Sequence, residues 1–409
     1  MPVFTSSIEV TADYPTIKPS LNLNFARSRS LDPRITFTRA SVGTYVGRDG
    51  LVKTAGEDEA RFDHDPVTLE SLGLLIEESR TNLIATNIDN WGVNNTIKNT
   101  NAGIAPDGTN TANKFIRGPV ATYQNINSSV SNVPTGVPLI MSWYLKAQES
   151  DTIFFQTYDG NWINATFDIS AGGIVGSGGN IDDSGMYAVG NDWYRCWVKF
   201  DSASNALNLT FHPNTSSPVS GNSIDGTLIW GVQLEAGAFP TSYIPTSGSA
   251  VTRAKDVATI TGTNFTNFYN TSEGTLYSSF IRNLQTNGFL VGLGYDGSNY
   301  IGMGYTADVG NNDVYIQPLV GSIFGHPSVG GNVKVKSIVS YSSSGASGCI
   351  NGNTVVSETA SGGLPSGSNG ALYIGTSAYD PPTIGTGLIS SVVYYPQRLT
   401  DAQLQLLTS

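Results

Sequence analysis

The residues best suited to hold a ligand are Tyr158, Asp159, Asn161 and Trp162, which with Gly160 make one five-residue turn. Two aromatic rings beside a carboxylate and an amide suit a sugar, because rings cover its C–H faces while polar groups bond its hydroxyls. Tyr295, Asp296, Asn299 and Tyr300 repeat the combination later in the chain, with Tyr379 and Asp380 as candidate neighbours. The competing reading at each place is packing, with Trp162 lying under its own loop. Trp143, Trp193 and Trp230 fall in strand-like runs and read as core.

Other chemistry finds less support. Glycoside hydrolysis needs two carboxyl groups held about 5–10 Å apart across a bond. The acids of residues 250–409, Asp256, Glu273, Asp296, Asp308, Asp313, Glu358, Asp380 and Asp401, never fall within four positions of one another. Glu149 and Asp151 are two apart, but between strand-like runs, where a turn is expected. Asp63-His64-Asp65 offers three metal-capable side chains in a row, yet neighbours on a strand point to opposite faces and no second histidine is near. His212 and His326, each followed by proline, read as loop or strand-end residues, and no Gly-x-Ser-x-Gly elbow supports a nucleophile. No repeating β-helix rungs are present. Asp- and Asn-bearing loops could hold structural calcium, but none has a diagnostic ligand spacing, so no cofactor is expected.

Composition limits the partners. Of 409 residues only 13% are charged, glycine alone numbers 46, and the net charge is −11. That balance suits an all-β protein rich in turns, and it opposes nucleic-acid binding, which needs clustered cations. The cluster Arg27, Arg29, Arg34 and Arg39 reads as solvated or interface charge. Neither a signal-peptide pattern nor a bilayer-spanning apolar run is seen, so synthesis in the cytoplasm without membrane insertion is expected. Cys196 and Cys349 read as buried free thiols.

Three segments position these residues. Residues 1–85 read as an extended arm and short β runs, too few for a core of their own, that dock on a partner or a later domain. Residues 86–249 carry seven strand runs at sandwich spacing: 114–117, 139–146, 152–158, 164–168, 193–200, 207–212 and 228–234. Within one of them Met141, Trp143 and Leu145 should face the core and Ser142, Tyr144 and Lys146 the solvent. A linker at 241–252 leads to a second set of strands in 250–409, with a hairpin signal at Asn351-Gly352 and a closing helix capped by Thr400 or Asp401. The expected architecture is an N-terminal extended anchoring arm plus two antiparallel β-sandwich jelly rolls.

Arg34-Ile35-Thr36-Phe37-Thr38-Arg39, Gly43-Thr44-Tyr45-Val46 and Arg61-Phe62-Asp63-His64-Asp65-Pro66, running on to Leu74-Leu75-Ile76-Glu77-Glu78-Ser79-Arg80-Thr81-Asn82-Leu83, resemble the leader of bacteriophage virion proteins. The segments around Trp193, Trp230 and Tyr243 are similar to the carbohydrate-binding-module-like sandwich behind such leaders. Residues 260–409 resemble a concanavalin-like, laminin-G-type jelly roll.

The resemblance implies a non-enzymatic virion component on the tail or a surface appendage. Its leader would anchor it to other virion proteins through Phe25, Arg34, Phe37, Arg39, Arg61, Phe62, Asp63, Asp65, Leu75, Glu77, Arg80 and Asn82. Its sandwiches would adhere to host-surface glycans, as in a homotrimeric tail fibre or receptor-binding protein. The rival readings are a capsid or tail decoration protein and, from another class, a glycan hydrolase or depolymerase.

Overall fold

The computed structural model describes residues 14–214, 217–282, 288–296, 298–306, 311–317, 319, 321–322, 333–365, 369–375 and 385–409. The fold is all-β with antiparallel sheets stacked as sandwiches. The chain divides into two compact units. One is built from 1–38, 72–77 and 256–409, the other from 39–71 and 78–255.

The leader is therefore not a segment of its own, and the domain boundaries expected from sequence are corrected accordingly. Its strands are too short to bury a face alone, and several of them pair with strands far along the chain. In the first unit Leu21–Asn24 and Ser71–Ile76 lie along different stretches of Gly387–Tyr395, and Thr36–Thr38 pairs with Val257–Thr261. In the second, Gly43–Val46 and Val52–Ala55 form a hairpin, and Arg80–Asn82 pairs with Val251–Arg253 across the expected linker.

In the first unit one sheet runs Val356–Thr359, Gly345–Ile350, Lys334–Ser342, Glu273–Arg282, Gly387–Tyr395. The other runs Val257–Thr261, Ala371–Ile374, Gly288–Asp296, Asn299–Thr306, Asn311–Gln317. Leu276, Ile338, Ile389 and Val392 are buried on the first sheet, and Ile260, Leu293, Ile301 and Leu372 on the second. Asn351 and Gly352 take φ of 50° and 69° between paired strands, as the hairpin signal requires. Helix Asp401–Thr408 closes the unit. Thr400 caps it in a reciprocal capping box with Gln403.

The second unit is the sandwich that carries the aromatic turn. Its inner sheet face pairs Pro138–Ala147 with Trp193–Asp201 and Gly226–Ala236. The facing sheet runs Gly173–Gly178, Trp162–Asp168, Thr152–Tyr158, Ala206–Pro213, Asn125–Ser131, Gly92–Asn94. Trp143 sits at the centre of the core. It meets Phe167 and Phe211 edge-on at 4.9 and 5.0 Å and Phe155 at 5.4 Å. All seven strands expected from sequence are present; Gly92–Asn94, Thr96–Gly103, Asn125–Ser131, Gly173–Gly178 and Ile181–Ala188 are additional.

One expected face is corrected. Met141, Trp143 and Leu145 are fully buried, but Ser142 and Tyr144, on the face the alternation assigns to solvent, are buried as well. A second apolar layer covers them, made of Tyr144, Trp193, Trp230 and Leu228 with Ala105 and Ala112. The loop between Thr96–Gly103 and Ala112–Arg117 supplies the lid. The Trp193 indole donates to the Ile104 carbonyl at 3.1 Å and the Trp230 indole to Thr111 Oγ1 at 3.0 Å. Arg195 lies over the Tyr144 ring and donates to Ser142 Oγ. Both cysteines are free and buried.

Candidate functional site

With one outer face of this sandwich covered, the other sheet presents the open one. Strand alternation decides what stands there. Ile153, Phe155 and Thr157 point inward, so Phe154, Gln156 and Tyr158 point out; Leu207, Leu209 and Phe211 point inward, so Asn208, Thr210 and His212 point out. Register then sets them side by side. Tyr158 is opposite Trp162, Gln156 is opposite Thr210, and Phe154 is opposite His212.

Gln156, Tyr158, Trp162, Asn208, Thr210 and His212 line a cleft of about 840 Å³. At one end Tyr158 and Trp162 are 48% and 58% exposed, with ring centroids 4.9 Å apart and planes at 56°. Tyr123, 60% exposed, stands on the loop leading into Asn125–Ser131 and completes the aromatic lining. The polar lining includes the amides Gln156, Asn208 and Asn125 and the hydroxyls of Thr210 and Ser129. Among the described residues no Asp, Glu, Lys or Arg lines the cleft.

The turn Asp159-Gly160-Asn161 holds the aromatic pair. Gly160 has φ +114°, which the reversal needs and a larger residue would resist. Asp159, 9% exposed, does not reach for a ligand. Its carboxylate accepts the N–H groups of Asn161 at 3.0 Å and Ala203 at 3.1 Å, binding the turn to the neighbouring loop. Of the four residues expected here, Tyr158 and Trp162 therefore face the cleft and Asp159 supports them, while Asn161 is exposed at the tip.

His212 closes the other end. It is 3% exposed, packs edge-on to Phe154 at 5.4 Å, and neither ring nitrogen has a hydrogen-bond partner of normal geometry. Burial pushes its pKa down to about 4; the nearby Gln124 backbone offsets part of that, and the Arg117 charge adds to it. The ring is neutral at ordinary pH. Taken alone in sequence it reads as a strand-end residue. Its place in the outward series Asn208, Thr210, His212 was the available signal.

The second expected site is not assembled in the same way. Asp296 accepts from the Ser298 N–H and from the Asn299 amide of its own turn. Tyr295 packs against Phe265 and Tyr269, and Tyr300 is buried against Phe289. Tyr379 and Asp380 lie outside the described residues, as does His326.

Several polar residues assigned to anchoring are engaged in folding. Asn82 is fully buried, donating to the Ile244 and Val232 carbonyls and accepting from the N–H groups of Ile84 and Leu234. Arg61, also fully buried, donates to the Thr44 carbonyl and Ser242 Oγ. Arg39 donates to the carbonyls of Ser41 and Gly56, and Arg80 to Glu78 and the Ala236 carbonyl. Asp63 accepts from Val46 N–H and Asp65 from Val67 and Thr68. Glu77 is buried with its N–H on Asp256, and Arg34 pairs with Asp32. Phe25, Phe37 and Leu75 are buried, Phe62 half-buried. Glu149 is paired with Lys114 at its turn. Among the described residues no three metal-type side chains converge.

No family model and no curated protein matches the sequence. Solved structures give distant likenesses. Domain 4 of AbnA, a GH43 extracellular arabinanase from Geobacillus stearothermophilus in complex with arabinotriose, is 15% identical at TM-score 0.32, covering 42% of this chain and 84% of that one. The CBM22-1–GH10 modules of Clostridium thermocellum xylanase 10B, complexed with xylohexaose, are 15% identical at TM-score 0.25, covering 41% and 30%. Mouse laminin α1 domains LG4-5 are 11% identical at TM-score 0.24, covering 71% and 92%. At such scores the function has to be read from this chain's own residues.

Proposed function

We propose that the second unit binds glycans in the cleft beside Tyr158 and Trp162, and that it does so without catalysing their cleavage. The observation that carries this is an exposed aromatic pair continuing into a row of neutral amides and hydroxyls on an open sheet face. Rings of this kind gain by covering apolar sugar faces, and amides supply directional bonds to hydroxyls. Among the described residues no carboxylate lines the cleft, so the acid and nucleophile or base of glycoside hydrolysis have no candidates among them.

The leader resemblance extends the proposal to the setting. The chain would be a bacteriophage virion protein, a tail fibre or receptor-binding protein that adheres to host-surface glycans. Cryo-electron microscopy of intact particles tests the setting. Density at the tail supports it, whereas density on the capsid lattice makes the chain a decoration protein.

Substitution tests the site. Trp162→Ala should weaken glycan binding by about tenfold or more, roughly 1.4 kcal/mol, while stability changes by no more than about 0.5 kcal/mol, as for an exposed residue. Unchanged affinity, or a large loss of stability, would overturn the assignment.

A further inference from the structure

We infer that the ligand of this cleft is an uncharged oligosaccharide, stacked at one end on Trp162 and Tyr158 and hydrogen-bonded at the other by the His212 imidazole. The inference rests on the glycan-binding reading and names the ligand's class and extent. Three observations carry it.

The first is the lining. A sugar carboxylate or sulfate leaving water needs cations or several charge-assisted donors to replace its hydration. Among the described residues the cleft offers neither Arg nor Lys, and the net charge of −11 repels anions approaching from afar. Arg117, the cation whose charge reaches His212, is turned to the carbonyls of Pro213, Ser217 and Val219.

The second is His212 itself. A neutral imidazole carries one N–H donor and one acceptor, and a buried polar group without partners is costly. Here, among the described residues, neither nitrogen meets a partner at hydrogen-bond geometry, the Gln124 backbone being only nearby, while the ring lines the cleft. A sugar hydroxyl both donates and accepts, so hydroxyls can satisfy either nitrogen. A carboxylate only accepts and would leave the unprotonated nitrogen unmet.

The third is length. His212 is opposite Phe154, four residues along the strand from Tyr158. At about 3.3 Å per residue the two ends are roughly 13 Å apart, more than one sugar ring spans. Amides and hydroxyls of Gln156, Thr210 and Asn208 occupy the interval.

The test uses the full chain on a broad glycan array, followed by calorimetry with the neutral hexasaccharide that binds best, its monosaccharide, and hexamers of galacturonate and sialic acid. The neutral hexamer should bind at least tenfold more tightly than its monosaccharide and than either acidic hexamer. His212→Gln should weaken the neutral hexamer by about tenfold. Because that variant could misfold, the imidazole nitrogen resonances of His212 in the unaltered protein give a second reading, and they should shift on titration with the hexamer. Preference for an acidic chain that Trp162→Ala abolishes would overturn this inference while leaving the glycan reading intact. Equal affinity for the monosaccharide, or His212 resonances that do not move, would also overturn it. Silence across the whole array would overturn both readings.

Discussion

Ala203 donates its backbone N–H to Asp159 Oδ2 at 3.1 Å, while the other oxygen of the same carboxylate holds the Asn161 N–H at 3.0 Å. Asp159 thus fastens the aromatic turn to the loop before Ala206–Pro213. Asp159→Ala removes both acceptors from a site only 9% exposed and should cost about 1–3 kcal/mol of stability. Glycan affinity should fall with it, since Tyr158 and Trp162 lose their fixed spacing. Urea denaturation beside calorimetry decides the point: affinity lost at unchanged stability would make Asp159 a ligand contact instead.

Asn82 of the leader motif uses both the donors and the acceptor of its amide in a fully buried place. Asn82→Ala strands two carbonyls and two N–H groups, and a loss of roughly 3 kcal/mol is expected. Asn82→Asp should be no milder, because a carboxylate cannot donate to the Ile244 and Val232 carbonyls and would be buried as a charge. Chemical denaturation of both variants checks this; a cost below about 1 kcal/mol for either would remove Asn82 from the framework and return it to a surface role.

What sequence made legible was what local alternation dictates. Met141, Trp143 and Leu145, and again Leu207, Leu209 and Phe211, show their inward faces without any knowledge of partners. Gly173–Gly178 and Ile181–Ala188 do not, because their Gly, Ser and Asp residues owe strand geometry to pairing with better-patterned neighbours. The covered face at Ser142 and Tyr144 depends on Ile104 and Thr111, far off in the chain. His212 belongs to the site only through the register that sets it opposite Phe154. The leader's division is equally non-local, since Leu21 finds its partner at Tyr394.

Thr400 was legible for the opposite reason, since a capping box is written within four residues. Its hydroxyl accepts the Gln403 N–H, and the Gln403 side chain accepts the Thr400 N–H at 3.0 Å. The helix it starts places Leu404 in a cluster with Ile338, Cys349, Tyr395 and Leu399. Thr400→Ala should destabilise the first unit by about 0.5–2 kcal/mol, and Thr400→Ser by much less. Equal losses in the two variants, measured by thermal or urea unfolding, would show that the methyl group and not the hydroxyl matters.

The depressed pKa of His212 fixes the sign of a pH effect. In the unfolded chain the ring takes a proton near its ordinary 6.5, but in the fold not until about 4. Between those values the unfolded state binds more protons, so stability rises with pH there. The contribution is complete above about pH 6.5, is lost as pH falls, and is gone below about pH 4. Its size is on the order of 3 kcal/mol. His212→Gln has no such titration, while every carboxylate elsewhere acts equally on both proteins. The stability difference between wild type and variant should therefore move by about that amount, against the wild type, from pH 7 to pH 4. A difference that stays constant across this range would mean that His212 titrates normally, in contact with water or with a partner.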